Sequence, residues 1–309
     1  MSDRDEPSLD TARTALEAAC PGVRIQNIEP LHAGYTSSQW VAQTDEGQLL
    51  VKFPRRHRDT LHIRRLIAST RLAAEAGIPV VRFRAALPEF PLVDGPVLIQ
   101  EFVRGIPASE RWKVLSQDER LRLCRSLGRV VASLHSITAN HYGDVLGEPK
   151  PETLVDFVDR RVGTLLSAAA DELGTRAAIA EAIHEAAERL LPEFNVPALT
   201  HGDLWLPNVL LEAGDEIRVV LDFEHASFDD RFADFGKLDE HIFSVFPVGG
   251  DAFLSAYGSV LPRPPDWSER RELAHVMNSL SMHAYFLRWT PQWAPQYARE
   301  VLSWVARQQ

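Results

Sequence analysis

The sequence predicts an α+β chain with a small antiparallel β lobe that holds one helix, followed by a larger, mainly helical lobe that carries a hairpin. Three observations lead there. The first third alternates in the two-residue period of strands, and the rest repeats apolar residues at helical spacing. A single short β-rich insert, Leu199 to Phe223, interrupts the helices. At 309 residues the chain is long enough for two such lobes, expected at 1–102 and 103–309.

Val23 to Pro30 and Gln39 to Thr44 read as strands that flank a polar turn, residues 32–38. Gln48 to Phe53 is a third strand, joined to the second through Asp45-Glu46-Gly47. Leu61 to Ala76 is helical and stops at Gly77, with Pro79 beyond it. Val97 to Val103 is an apolar run broken by Gln100 and Glu101, which predicts a buried strand leaving its sheet as a connector. Ser116 to Ile137 opens on a capping box, Ser116 with Glu119. It then places Leu123, Leu127, Val131 and Leu134 on one face. Further helices are expected near 152–169, 174–191, 250–260, 268–289 and 294–307.

Composition excludes several classes. The net charge of −10 disfavours nucleic acid or an anionic membrane as partner and suits a cationic small molecule. Two distant cysteines, Cys20 and Cys124, lack metal-ligand spacing and fit a reducing compartment. The polar start, residues 1–7, and the lack of a long uncharged apolar run predict a cytoplasmic protein.

The chemistry concentrates in His201-Gly202-Asp203-Leu204-Trp205-Leu206-Pro207-Asn208, followed by Leu221-Asp222-Phe223-Glu224. Asn208 is expected to begin one hairpin strand and Asp222 to end its partner, which would set a carboxamide beside a carboxylate. Asp203 lies in the loop that enters this end. Such oxygen ligands suit Mg²⁺, whose shell is completed by water and phosphate. The spacing Asp-x-x-x-x-Asn is that of a kinase catalytic loop, in which the acid orients the acceptor hydroxyl while metal ions neutralise the phosphates.

His-Gly-Asp, the Asn five residues on, and Asp-Phe-Glu together resemble the aminoglycoside phosphotransferase family, where protein kinases have Arg in place of Gly202. The resemblance implies a two-lobed, protein-kinase-like fold with nucleotide held in the cleft between the lobes. It implies Asp203 as catalytic base, Asn208 and Asp222 as metal ligands, and His201 and Asp234 as structural support for the catalytic loop. Lys52 matches the strand lysine that contacts nucleotide phosphates, and it is one of only four lysines. Gly34 and Ser37 match the phosphate-covering loop, and Gln100, Glu101 and Phe102 match the connector that meets the purine. His135 reads as structural. Ala226 to Phe235 is similar to the family's Gly-Asp-Pro-x-x-Asp-Leu segment, with Asp229 for Gly and Arg231 for Pro.

The same resemblance implies a small-molecule kinase using Mg²⁺ with ATP or GTP. Its acceptor is read first as an antibiotic hydroxyl, on an aminoglycoside, macrolide or related compound, so that the chain would confer resistance. A metabolic kinase for choline, homoserine or methylthioribose is the alternative, and a nucleotide-binding protein without turnover is a third. One departure motivates the third: the family's small-lobe helix supplies a glutamate to the strand lysine, whereas only Asp59 and Glu75 are nearby here. Asp239, Glu240, Asp251, Trp267, Trp289 and Trp293 are candidates to line the acceptor site.

Overall fold

The structure, a computed structural model, describes residues 6–32, 37–55, 58–147, 153–169, 173 and 176–308. The chain divides into two compact units, Met1–Ile106 with Val209–Glu224, and Pro107–Asn208 with His225–Gln309.

The first unit is built on a five-stranded antiparallel sheet of β1 (Ile25–Leu31), β2 (Ser37–Thr44), β3 (Gly47–Pro54), β4 (Phe83–Phe90) and β5 (Gly95–Glu101), in the order β1-β2-β3-β5-β4. Pleating puts Leu49, Val51 and Phe53 of β3 into one apolar layer and turns Lys52 to the other face. That layer is covered by α1 (Leu9–Ala19), whose Ala12, Ala15 and Leu16 are fully buried. Helix α2 (Thr60–Glu75) ends as expected at Gly77, whose φ of 78° lets Ile78 N–H reach back to Ala73 O at 3.0 Å. The inner strand β5 is buried from Pro96 to Gln100, as its apolar run predicts.

The hairpin, β8 (Val209–Leu211) and β9 (Ile217–Val220), was expected within the helical lobe and instead groups with this first unit. Val220 N–H donates to Pro79 O at 2.7 Å, and the Ser69 hydroxyl of α2 donates to Phe223 O at 3.3 Å. These bonds explain the grouping, because they bind the strand that leads to Asp222 to α2 and the residues following it.

The second unit begins with the two-residue strand β6 (Ile106–Pro107), which straddles the boundary, and the one-turn helix α3 (Ala108–Arg111). Helix α4 (Gln117–His135) has both bonds of its capping box, and α5 (Leu154–Ala168) has one of the same kind, Thr153 with Asp156. Then come α6 (Arg176–Glu188), β7 (Ala198–Thr200), β10 (Ser227–Asp229), α7 (Phe235–Leu238), α8 (Pro247–Val260), α9 (Trp267–Trp289) and α10 (Ala294–Gln308). β7 and β10 pair antiparallel, Leu199 opposite Phe228. One apolar core joins α5, α6, α9 and α10 through Val158, Val162, Ile183, Val276, Leu280 and Val301. A second contact sets α4 against α8, where Gly128 is required: a Cβ there would stand 2.5 Å from Phe253 O.

No helix among the described residues is long and apolar enough to cross a membrane.

Candidate active site

The His-Gly-Asp loop follows directly on β7, and a single buried carboxylate sets its shape. Asp234 Oδ2 accepts from His201 N–H at 2.8 Å and pairs with His135 Nε2 at 3.0 Å, while Oδ1 accepts from Gly202 N–H at 2.8 Å. His135 in turn meets Tyr257 Oη through Nδ1 at 3.1 Å. Burial works against ionisation of Asp234, but the hydrogen bond and charge of His135, with the backbone and charge of His201, hold its carboxyl below the ordinary value. This bears on the reading of His201, Asp234 and His135 as structural: all three sit in one bracing cluster behind Asp203.

Gly202 is dictated by this geometry. Its φ is 76°, and a Cβ would lie 2.3 Å from His225 O. No side chain fits, so an arginine at this position would require a different loop.

Asp203 is partly exposed, and three neighbours define its position. Its N–H donates to His201 Nδ1 at 3.2 Å. Asn208, at the end of the 3₁₀ turn Leu206–Asn208, donates through Nδ2 to Asp203 O at 2.9 Å and to Asp203 Oδ2 at 3.1 Å. The third neighbour, which no motif signals, is Lys237 of α7, whose Nζ contacts Asp203 Oδ1. The Lys237 ammonium also lies 4.9 Å from the centre of the Trp205 ring, which packs on His241 at 5.2 Å. Its one signal in the sequence is scarcity, since Lys237 is another of the four lysines.

Beyond α7 the helix widens to a π turn over Asp239–Phe243. Glu240 there accepts from Tyr297 Oη at 2.5 Å and from Asn278 Nδ2 at 3.2 Å. Asp239 is taken by Arg271, whose Nε lies 2.8 Å from Oδ2. Trp267 lies beneath Arg263 at 4.5 Å, and Trp289 beneath Arg288 at 4.8 Å. Trp293 stacks on Phe286 at 5.9 Å, and Asp251 is exposed on α8. Of the acceptor-site acids, Glu240 is held by a phenol and an amide with His241 Nε2 3.9 Å away, whereas Asp239 is held by a guanidinium.

In the first unit, Lys52 stands between Gln39 of β2 and Leu98 of β5. Helix α2 covers 60–75, so it is not displaced, and its only acid, Glu75, lies beside Arg71 at 3.6 Å. Among the described residues Lys52 has no carboxylate partner. The helix instead offers His62, 3.9 Å from Glu224. Ser37 opens β2 as a buried residue, whereas Gly34 lies outside the described residues. Gln100 is buried in β5, and the N–H groups of Glu101 and Phe102 donate to Arg82 O and Gln48 O.

The expected register of the hairpin needs correction. Its ladder ends at Val209 opposite Val220, so neither Asn208 nor Asp222 is a strand residue and they do not face each other as a cross-strand pair. Asp222 instead has a φ of 69°, a left-handed conformation uncommon outside glycine. Among the described residues no group of three or more His, Cys, Asp or Glu gathers as a metal cluster.

The sequence profile of the phosphotransferase enzyme family matches residues 27–273. A curated relative, the chloroplastic protein-ribulosamine 3-kinase of Arabidopsis thaliana, is 31% identical over 176 residues, covering 52% of this chain and 51% of that protein. The match thus spans about half the relative's length. A solved structure from Ralstonia eutropha, assigned as an aminoglycoside phosphotransferase, superposes with a TM-score of 0.71 at 15% identity, over 97% of this chain and 98% of its own. The GDP and kanamycin complex of APH(2″)-IIIa superposes with a TM-score of 0.64 at 16% identity, over 96% and 97%. These superpositions establish the fold, which is the protein-kinase-like one. With its profile matched over most of its length, the chain belongs to the phosphotransferase enzyme family.

Proposed function

We propose that this chain is an O-phosphotransferase that moves the γ-phosphate of ATP or GTP to a hydroxyl of a small molecule. The observation that carries the reading is the Asp203 carboxylate, fixed at the loop by Asn208 and set on the Asp234 brace. In this reading the acceptor hydroxyl donates to Asp203 and its oxygen attacks the γ-phosphorus in line. The bond to the β–γ bridging oxygen breaks, and the hydroxyl proton passes to Asp203. Positioning supplies most of the rate, as phosphoryl transfer demands little covalent chemistry from the protein.

Lys52, Ser37 and Gly34 are assigned to the phosphates, and the connector Gln100-Glu101-Phe102 to the base. The N–H groups of Glu101 and Phe102 are already spent, so purine contacts fall to other backbone atoms of that segment. Asn208 turns its Nδ2 to Asp203, which leaves Oδ1 as a hard oxygen donor, and Asp222 offers a carboxylate. These two are the residues that would hold Mg²⁺, whose charge neutralises the phosphates when it is bound.

For the acceptor we propose a hydroxylated amine. Glu240 is the carboxylate suited to an ammonium group, and the net charge of −10 favours a cation. An antibiotic such as an aminoglycoside or macrolide meets this description and would make the protein a resistance enzyme. A sugar-derived ketosamine also meets it, and the 31% identity to a ribulosamine kinase favours that second reading. Transfer from γ-labelled ATP and GTP to aminoglycosides, macrolides, ketosamines and amino alcohols decides between them. Label on a hydroxyl of one class identifies the acceptor. Neither transfer nor Mg²⁺-dependent hydrolysis of either nucleotide would leave a binding protein without turnover.

A further inference from the structure

The proposed base does not stand alone: one ammonium group touches it, and no motif of the chain predicts that contact. Lys237 extends from α7, three residues after Asp234, which stands at the N-cap of that helix, so one short stretch of chain supplies both the brace of the loop and a cation to its carboxylate. Its side chain is only 14% exposed. Burying an ammonium this far costs solvation unless a carboxylate or another polar group compensates. Burial pushes the Lys237 ammonium down to about 8, against the opposing pull of Glu240. The chain otherwise uses arginine for nearly all its basic residues. A guanidinium is wide and planar, whereas an ammonium is a point charge that can sit on one carboxylate oxygen.

The two oxygens of Asp203 are therefore divided. Oδ1 is held by Lys237 and Oδ2 by Asn208 Nδ2. Each carboxylate oxygen has two lone-pair directions, so both retain one for an acceptor hydroxyl. Rotation of the carboxylate would break one clamp or the other. The Trp205 ring closes a third side of Lys237, which lies over its face. The Lys237 ammonium thus has both a carboxylate partner and an aromatic face, supplied by Asp203 and Trp205 of one loop.

We propose that Lys237 is a positioning residue for phosphoryl transfer, fixing the rotamer of Asp203 through its contact with Oδ1. The proposal rests on the reading of Asp203 as the acceptor-orienting base. It assigns Lys237 no contact with substrate. Its effect passes through Asp203, and this separates it from a merely structural lysine.

The test is a double-mutant cycle on the full chain, read as hydrolysis of Mg²⁺–ATP and Mg²⁺–GTP with water as acceptor. Lys237→Met should lower kcat by about 10²-fold, the size expected when a reacting group is misplaced by about an ångström, with the nucleotide KM changed less than about threefold. In the Asp203→Asn background the same substitution should cost less than about threefold, because its target is already removed. Lys237→Arg keeps the charge and should recover part of the loss. If Lys237→Met does not fold, Lys237→Gln takes its place in the cycle. Equal losses in both backgrounds, or a loss confined to nucleotide KM, would overturn the proposal while leaving the kinase reading in place. A wild type that neither hydrolyses either nucleotide nor transfers its phosphate to any acceptor of the screen would remove the kinase reading and this proposal with it.

Discussion

Asp234 shapes the loop by accepting three hydrogen bonds while buried, two of them from consecutive backbone N–H groups. Its depressed carboxyl makes a signed prediction. A carboxyl held lower in the folded than in the unfolded state stabilises fully above its unfolded value, near 3.9. That contribution is lost as pH falls through the lower folded value. Asp234→Asn should therefore cost roughly 3–5 kcal/mol at neutral pH, and the gap from wild type in urea unfolding should close at strongly acid pH. A gap independent of pH would assign the loss to packing alone. Gly202→Ala should cost about 1–3 kcal/mol from its left-handed backbone, and more from the contact with His225 O. The spacing of His201, Asp203 and Asn208 makes this loop legible in the amino-acid sequence, since its residues are local along the chain. Lys237 is not readable there, because its meaning comes from a contact across 34 residues.

Helices and strands follow their signals where burial is one-sided. The capping box of α4 is present with both bonds, and Ser116→Ala should lower stability by about 1 kcal/mol, measured by thermal unfolding. The signal for α1 was also present, since Ser8 caps it and Ala12, Ala15 and Leu16 share one face. It was hidden by the weak hydrophobicity of alanine. Strand β4 was harder to read: it lies at the sheet edge, contains Pro88, and its register shifts twice. Asp222 lies beyond the strand it was expected to end, because the ladder stops at Val220 and a left-handed residue then turns the chain. Helix α2 carries no acid for Lys52, so Glu75→Gln should leave nucleotide affinity within about twofold of wild type, as expected for an exposed surface pair. Lys52→Met should weaken that affinity clearly, and equilibrium binding of labelled ATP and GTP reads both.

At the scale of the molecule, the family and fold are legible because the motifs within 201–224 and the strand lysine Lys52 fall in the family's order, in a chain whose residues 27–273 match its profile. The division into units was not fully legible. The hairpin's strands are too short to show where they pack, and bonds to Pro79 and Ser69 decide it. The central claim is that Asp203 orients the acceptor while Asp222 serves the metal and nucleotide. The most direct measurement compares wild type, Asp203→Asn and Asp222→Asn for both kcat and nucleotide Kd in the presence of Mg²⁺. Asp203→Asn should lose about 10²–10⁴-fold in kcat, the range for general-base assistance, with nucleotide Kd nearly unchanged. Asp222→Asn should lose nucleotide affinity as well as turnover. Equal loss of affinity in the two variants, or an unchanged kcat in Asp203→Asn, would contradict the account.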